Sequence, residues 1–258
     1  MKEEIFAKYG VAAEDRILCA HTLDLCASAE NKNYITHTGF LSMHEQSVMR
    51  SLSPEFSARY EFFGGYAGAE RCVLYFLPEY ADSADGLEMR LITAGFSERE
   101  KLTHRDFLGA LMSLGITRAN VGDISVCEGK AQIFVLDAVC GFICQNFTRV
   151  KNTSVSCKNS EISEFTEPVR RVETVRDTVM SPRLDAVISS AFSVSRSDAQ
   201  TFIEGGYVFV NDIETRKCSK TAAEGDKLVL RGRGRARLKE ISEKSKKGRT
   251  WIEIERFL

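Results

Sequence analysis

From Gly86 onward the hydrophobic pattern changes period in a fixed order, and that order limits the available folds more than any other feature of the chain. EMRLITAGF alternates as a strand, HRDFLGALMSLG spaces its apolar residues as a helix, GDISVCEG and AQIFVL return to strand, DAVCGFICQNF is helical and TSVSCK closes as a strand. Strand, helix, strand, strand, helix, strand has a compact solution in which four antiparallel strands carry both helices on one side.

This is the order of ferredoxin-like and RNA-recognition-motif folds, and a fold alone does not fix a function. RNA-recognition motifs expose aromatics on their first and third strands, where unstacked bases can lie on them. The third strand of this chain, KAQIFVLD, offers only Phe134. A core or interdomain role for Phe134 is therefore a simpler expectation than base stacking.

The segment before Arg71 reads as mostly helical, with Ile5, Tyr9, Ile17, Leu18, His21 and Leu25 on roughly helical spacing. FLSMHEQSVMRSL adds a helix opened by Thr36 or Thr38, and Gly64, Gly65 and Gly68 then turn the chain into CVLYFL, which ends at Pro78. After the split βαβ order, KNSEISEFTEPVRRVETVRDTVMSP is a polar bridge, although its V-R-R-V-E-T-V alternation also fits a strand. From Ser181 the pattern gives helix RLDAVISSAF, a second helix opened by Ser195 or Ser197, and strands YVFVN, KLVLRG and WIEIERFL. Ala199, Ile203, Val208 and Val210 read as core. The expected fold class is α+β: a mostly helical N-terminal domain over 1–77, a ferredoxin-like βαββαβ domain over 78–165, a linker over 166–180 and a small α+β module over 181–258.

At 43% hydrophobic and 28% charged residues the chain can bury real cores, which excludes disordered and collagen-like classes. No run approaches the roughly 18 apolar residues of a membrane span, and the start MKEEIFAKYG carries Glu3 and Glu4 where a signal peptide would be basic. A cytoplasmic protein is expected. The eight cysteines form no C-x-x-C pair, and Cys19, His21, Cys26, His37 and His44 lack the short paired spacing of zinc sites. Reduced thiols, no metal and no cofactor follow. The net charge of −1 hides an asymmetry: residues 183–258 hold 16 Lys and Arg against 11 Asp and Glu, whereas residues 1–182 hold 19 against 25. A basic module on an acidic body points to a polyanion bound at one end.

The terminal module resembles the small RNA-binding domain named for ribosomal protein S-four, through R-L-D at Arg183, S-R-x-x-A at Ser195, I-x-x-G-x-V-x-V-N at Ile203 and G-D at Gly225. FGGYAGAERCVLYFLPEY, LTHRDFLGALMSLGITRANVGDI and RGRGRARLKEISEKSKKGR extend the likeness over nearly the whole chain to the bacterial YlmH family, a three-part protein with an RNA-recognition-like middle. The resemblance implies non-catalytic binding of structured RNA, ribosomal RNA and also tRNA, on large ribosomal subunits that hold peptidyl-tRNA, in ribosome quality control. A monomer is expected when the protein is free.

The residues agree with that reading. Ser195, Arg196, Ser197 and Gln200 occupy the first turn and a half of a helix, whose unsatisfied N–H groups and dipole favour phosphate, and Arg183 matches another position at the family's RNA face. Arg196 has an alternative in an ion pair with Asp198 or a neighbouring carboxylate. Nine basic residues lie between 231 and 249 against Glu240 and Glu243; on an extended chain Arg231, Arg233, Arg235 and Arg237 share one side, with Lys246, Lys247 and Arg249 following. Arg71, His104, Arg105 and Arg118 form a candidate second contact surface.

Catalytic readings are weaker. H-R-D at His104 evokes a kinase loop, yet that motif needs Asn where this chain has Leu111. HTGF at His37 and KSKK at Lys244 only echo the signatures of tyrosyl-tRNA synthetases, without the surrounding nucleotide domain. The main alternative is an RNA-modifying enzyme of pseudouridine synthase or methyltransferase type, but such enzymes carry this module at the N-terminus ahead of a catalytic domain, and no G-x-G-x-x-G loop is present.

Overall fold

The computed structural model describes residues 2–127, 129–167, 172–244 and 248–257. The chain divides into two compact units, Met1–Pro168 and Val169–Leu258.

In the first unit the chain begins with helices α1 (Lys2–Tyr9) and α2 (Arg16–Lys32), followed by strand β1 (Thr36–Leu41), helix α3 (Met43–Leu52) and strands β2 (Arg59–Phe63) and β3 (Cys72–Leu77). The strands form an antiparallel sheet in the order β1-β3-β2, so the N-terminal segment has most of its residues in helices but also holds a three-stranded sheet that those helices cover. THTGFL is the departure: Thr36 and Thr38 lie within β1, and the helix after it starts with Ser42, whose hydroxyl accepts from Glu45 N while the Glu45 carboxylate accepts from Ser42 N. That reciprocal capping pair anchors α3 six residues beyond Thr36.

The split βαβ domain follows as β4 (Met89–Gly95), α4 (His104–Ser113), β5 (Val121–Cys127), β6 (Lys130–Leu136), α5 (Asp137–Asn146), a two-residue hairpin β7 (Arg149–Val150) and β8 (Thr153–Ser154), and β9 (Ser156–Ser160). Its antiparallel sheet has the order β5-β6-β4-β9, with the first and third strands of the motif at the centre. Ile92, Ala94, Ala131, Ile133 and Val135 pack with Phe107 and Leu111 of α4 and Ile143 of α5 on one face. The alternate residues Met89, Leu91, Phe134 and Leu136 point the other way and pack against Phe40, Val73, Tyr75 and Leu77 of the N-terminal sheet. The two sheets thus share one core, and Leu41, Leu74 and Phe76 turn to the helices on the outer side of the first.

The face that an RNA-recognition motif uses for stacking is therefore interior. Phe134 is fully buried, with Phe165 at 4.9 Å and Tyr66 at 5.7 Å between ring centroids. Gly65 lies against the same ring with φ +95°, and a Cβ there would stand 2.1 Å from Phe134 Cε1. The core role expected for Phe134 is the one observed.

The second unit comprises β10 (Val172–Val179), α6 (Leu184–Phe192), α7 (Arg196–Glu204), β11 (Val208–Val210), β12 (Ile213–Glu214), β13 (Lys227–Leu230), β14 (Gly234–Lys244) and β15 (Thr250–Phe257). The sheet order is β10-β15-β14-β13-β11-β12, and both helices pack on one face through Leu184, Val187, Ile188, Ala199 and Ile203 against Val208, Leu228, Leu238, Ile252 and Ile254. Most of the stretch read as a linker over 166–180 is strand β10, paired with β15 along its whole length from Val172↔Phe257 to Val179↔Thr250. The alternation around Val172 and Val175 was the correct guide there.

Candidate nucleic-acid interface

The start of α7 is organised by the last residue of the R-L-D motif. Asp185, in the first turn of α6, has a fully buried side chain. Its Oδ1 accepts from Arg183 Nε and Ala186 N, and its Oδ2 accepts from Arg183 Nη2, from Arg196 Nε and Nη2, and from Gln200 Nε2, all at 3.0–3.3 Å. Burial pushes this carboxyl up, but the hydrogen bonds of Arg183, Gln200 and Arg196 and the Arg196 charge outweigh burial and hold it at about 2. The two arginines keep 40% and 55% of their side chains exposed, so each guanidinium remains partly open to solvent while anchored at a fixed hub. Arg196 does form an ion pair, as its alternative reading required, but with Asp185 and not Asp198. The signal was the aspartate two residues after Arg183.

Ser195 caps α7, its hydroxyl accepting from Asp198 N at 3.0 Å, and lies 2.8 Å from Ser197 Oγ. Three elements converge here: α6 supplies Asp185, the residue before it supplies Arg183, and α7 supplies Arg196 and Gln200.

The basic run behaves differently from an extended stripe. Leu230 pairs with Gly234, and residues 231–233 form the turn between β13 and β14, with Gly232 at φ +80° and Gly234 at φ +114°. Arg231 and Arg233 therefore sit in a hairpin turn, exposed, and do not share a strand face with Arg235 and Arg237. The Arg233 guanidinium lies 5.8 Å from the Phe202 ring of α7. Along β14, Ala236 and Leu238 enter the core while Arg235, Arg237 and Lys239 take the other face. Compensating acid comes from the neighbouring strand: Glu253 accepts from Lys239 and from Arg176, each at 2.8 Å, and Glu255 stands opposite Arg237. Arg249 is exposed and donates to Thr178 O. Lys246 and Lys247 lie outside the described residues.

The four residues of the second surface divide. Arg71 donates to the carbonyls of Phe40, Val121 and Arg118, and Arg118 donates to those of Val121 and Gly122, so both guanidiniums fasten β1 and β3 to the start of β5. Burial lowers the pKa of each, that of Arg118 to about 10 with the Arg71 charge adding to the effect. Asp123 completes the fastening by accepting from Tyr66 OH, Glu70 N and Arg71 N. His104 and Arg105 remain exposed at the start of α4, where Asp106 accepts from Thr103 N.

Among the described residues no group of three or more His, Cys, Asp or Glu side chains could hold a metal ion, and no helix is long and apolar enough to cross a membrane. The eight cysteines are free thiols.

Comparison with known proteins joins this geometry to a lineage. A family model described as "Putative RNA-binding domain in YlmH" matches residues 83–164, the split βαβ domain. That domain, followed by a second unit with two arginines fixed on a buried carboxylate, defines the class: a two-unit α+β RNA-binding protein. The "Ribosome-associated protein quality control protein P2" of Bacillus subtilis (strain 168) is 34% identical over 221 residues, covering 85% of this chain and 86% of that protein. The chain belongs to the YlmH family. The structure titled "Cell division protein ylmH from Streptococcus pneumoniae" has the same fold in part, with 19% identity and a TM-score of 0.53 over 60% of this chain and 96% of that one.

Proposed function

We propose that the protein binds structured ribosomal RNA of the large subunit without catalysis, in complexes that still hold peptidyl-tRNA, and acts in ribosome quality control. Its second unit is the S-four-like module that makes the main contact, through Arg183, Ser195, Arg196, Ser197 and Gln200, with Arg231, Arg233, Arg235 and Arg249 as flanking cations. The observation that carries the reading is the Asp185 hub, which presents two half-exposed guanidiniums and an amide beside a helix start. A guanidinium whose orientation is already fixed loses less freedom when it meets a phosphate than one that swings freely. The name of the Bacillus relative supports the ribosomal setting.

Sedimentation with separated subunits tests the proposal. The protein should travel with large subunits, more with those bearing peptidyl-tRNA than with empty ones at the same salt, and Arg196→Ala should weaken both. Equal sedimentation with small subunits, or a covalent change in the RNA that requires the protein, would refute it.

A further inference from the structure

The domain matched as RNA-binding cannot use the surface that RNA-recognition motifs normally offer, because Phe134, Leu91, Met89 and Leu136 are enclosed by the N-terminal sheet. Any RNA contact made by this domain must leave from another face. On its helix side, α4 and residues 146–151 bound an open groove of about 600 Å³. Arg105, Arg149 and Lys151 line it and are exposed, and between them the floor combines small Gly109 and Ala110, polar Ser113 and Thr148, and apolar Leu114.

Charge makes this groove unusual within its unit. Residues 1–168 hold 16 Lys and Arg against 23 Asp and Glu, yet three cations line the groove against one acid, Asp106. That acid is already engaged: Lys151 lies 2.7 Å from its Oδ1, and Thr103 N and Oγ1 donate to its Oδ2. The same ion pair ties the β7–β8 hairpin to the start of α4, so the cationic walls are held in a fixed relation. Nothing stands within 4 Å of where a Cβ on Gly109 would be, which leaves the floor open to close approach. Phe147, the aromatic in the lining, is buried, so the groove offers no platform for an unstacked base.

We infer that the split βαβ domain meets RNA through this groove and not through its sheet, and that it takes the sugar-phosphate backbone of a duplex. Cations spaced along an open groove without a stacking ring suit phosphate and shape recognition. The inference rests on the RNA-binding reading above and adds a second contact to it.

The test uses the full chain and a fluorescein-labelled RNA hairpin, with affinity measured over a range of salt. Arg105→Glu with Arg149→Glu should weaken binding about tenfold or more and flatten the log–log salt slope by about two, since each lost phosphate contact accounts for about 0.9. Arg105→Lys with Arg149→Lys should retain most of the affinity. In the unmodified protein, a hairpin carrying 4-thiouridine should crosslink to peptides spanning 103–114 or 146–151, a readout that does not depend on how any variant folds. Unchanged affinity in the glutamate variant, or crosslinks confined to other segments, would overturn the groove while Arg196→Ala still weakened binding. Failure of the unmodified protein to bind the hairpin or ribosomal RNA would instead remove the reading beneath it.

Discussion

Asp185→Asn should uncouple stability of the second unit from acid and loosen its RNA face in one step. The carboxyl sits at about 2 in the folded protein against an ordinary 3.8, a gap worth about 2 kcal/mol at 1.36 kcal/mol for each pH unit. Because the folded value is the lower one, this stability is complete above about pH 4 and is lost as pH falls toward 2. A second estimate agrees: hydrogen bonds to a charged acceptor contribute about 1.5–3 kcal/mol, and the half-exposed arginines can recover part of that by turning to water. The variant should thus be about 2 kcal/mol less stable than the parent at pH 7 and nearly equal to it at pH 2. Trp251, the single tryptophan, lies in β15, so its fluorescence during urea unfolding follows the second unit. Affinity for the RNA hairpin should fall at neutral pH, because Arg183 and Arg196 lose their common anchor. A stability difference that stays constant from pH 7 to pH 2, or no difference at pH 7, would refute the reasoning.

Three further outcomes are expected. Gly65→Ala should destabilise the first unit by about 3 kcal/mol or more, since it combines a positive φ with a collision against the buried Phe134 ring, and thermal unfolding by circular dichroism will measure it. Arg71→Ala should cost the first unit about 2–4 kcal/mol by stranding the carbonyls of Phe40, Val121 and Arg118, with Trp251 fluorescence unfolding unchanged. Ser195→Ala removes the cap of α7 and should lower the stability of the second unit by about 1 kcal/mol in the same fluorescence assay.

Local signals in the sequence carried far where they acted alone. The split βαβ order appears with one addition, the hairpin β7–β8 before the last strand, and Ala199, Ile203, Val208 and Val210 are all buried where helical and alternating spacing placed them. Local pattern is silent where long-range partners decide. THTGFL is too short for its own period to distinguish strand from helix, and it is a strand because β3 pairs with it from Thr36↔Phe76 to Leu41↔Cys72. β10 has the polar pattern of a bridge because the strand that pairs with it comes much later, from Val179↔Thr250 to Val172↔Phe257. In the candidate site, Ser195 was legible as a cap because capping is local, whereas the meeting of Arg183, Arg196 and Gln200 depends on Asp185 and on how α6 packs against α7. Arg149 and Lys151 carry no local signal because only the small hairpin brings them opposite α4.

The shared core of the two sheets bears on how such a chain can be divided, by a protease, a cloning primer or gene fusion. Residues 83–164 match a domain model by themselves, yet cut free they would open a face of Met89, Leu91, Phe134 and Leu136 to water. An uncovered apolar sheet of that kind invites self-association. The stretch recognisable as RNA-binding is thus not a transplantable piece, and the smallest part that carries its own lid begins with the N-terminal strands.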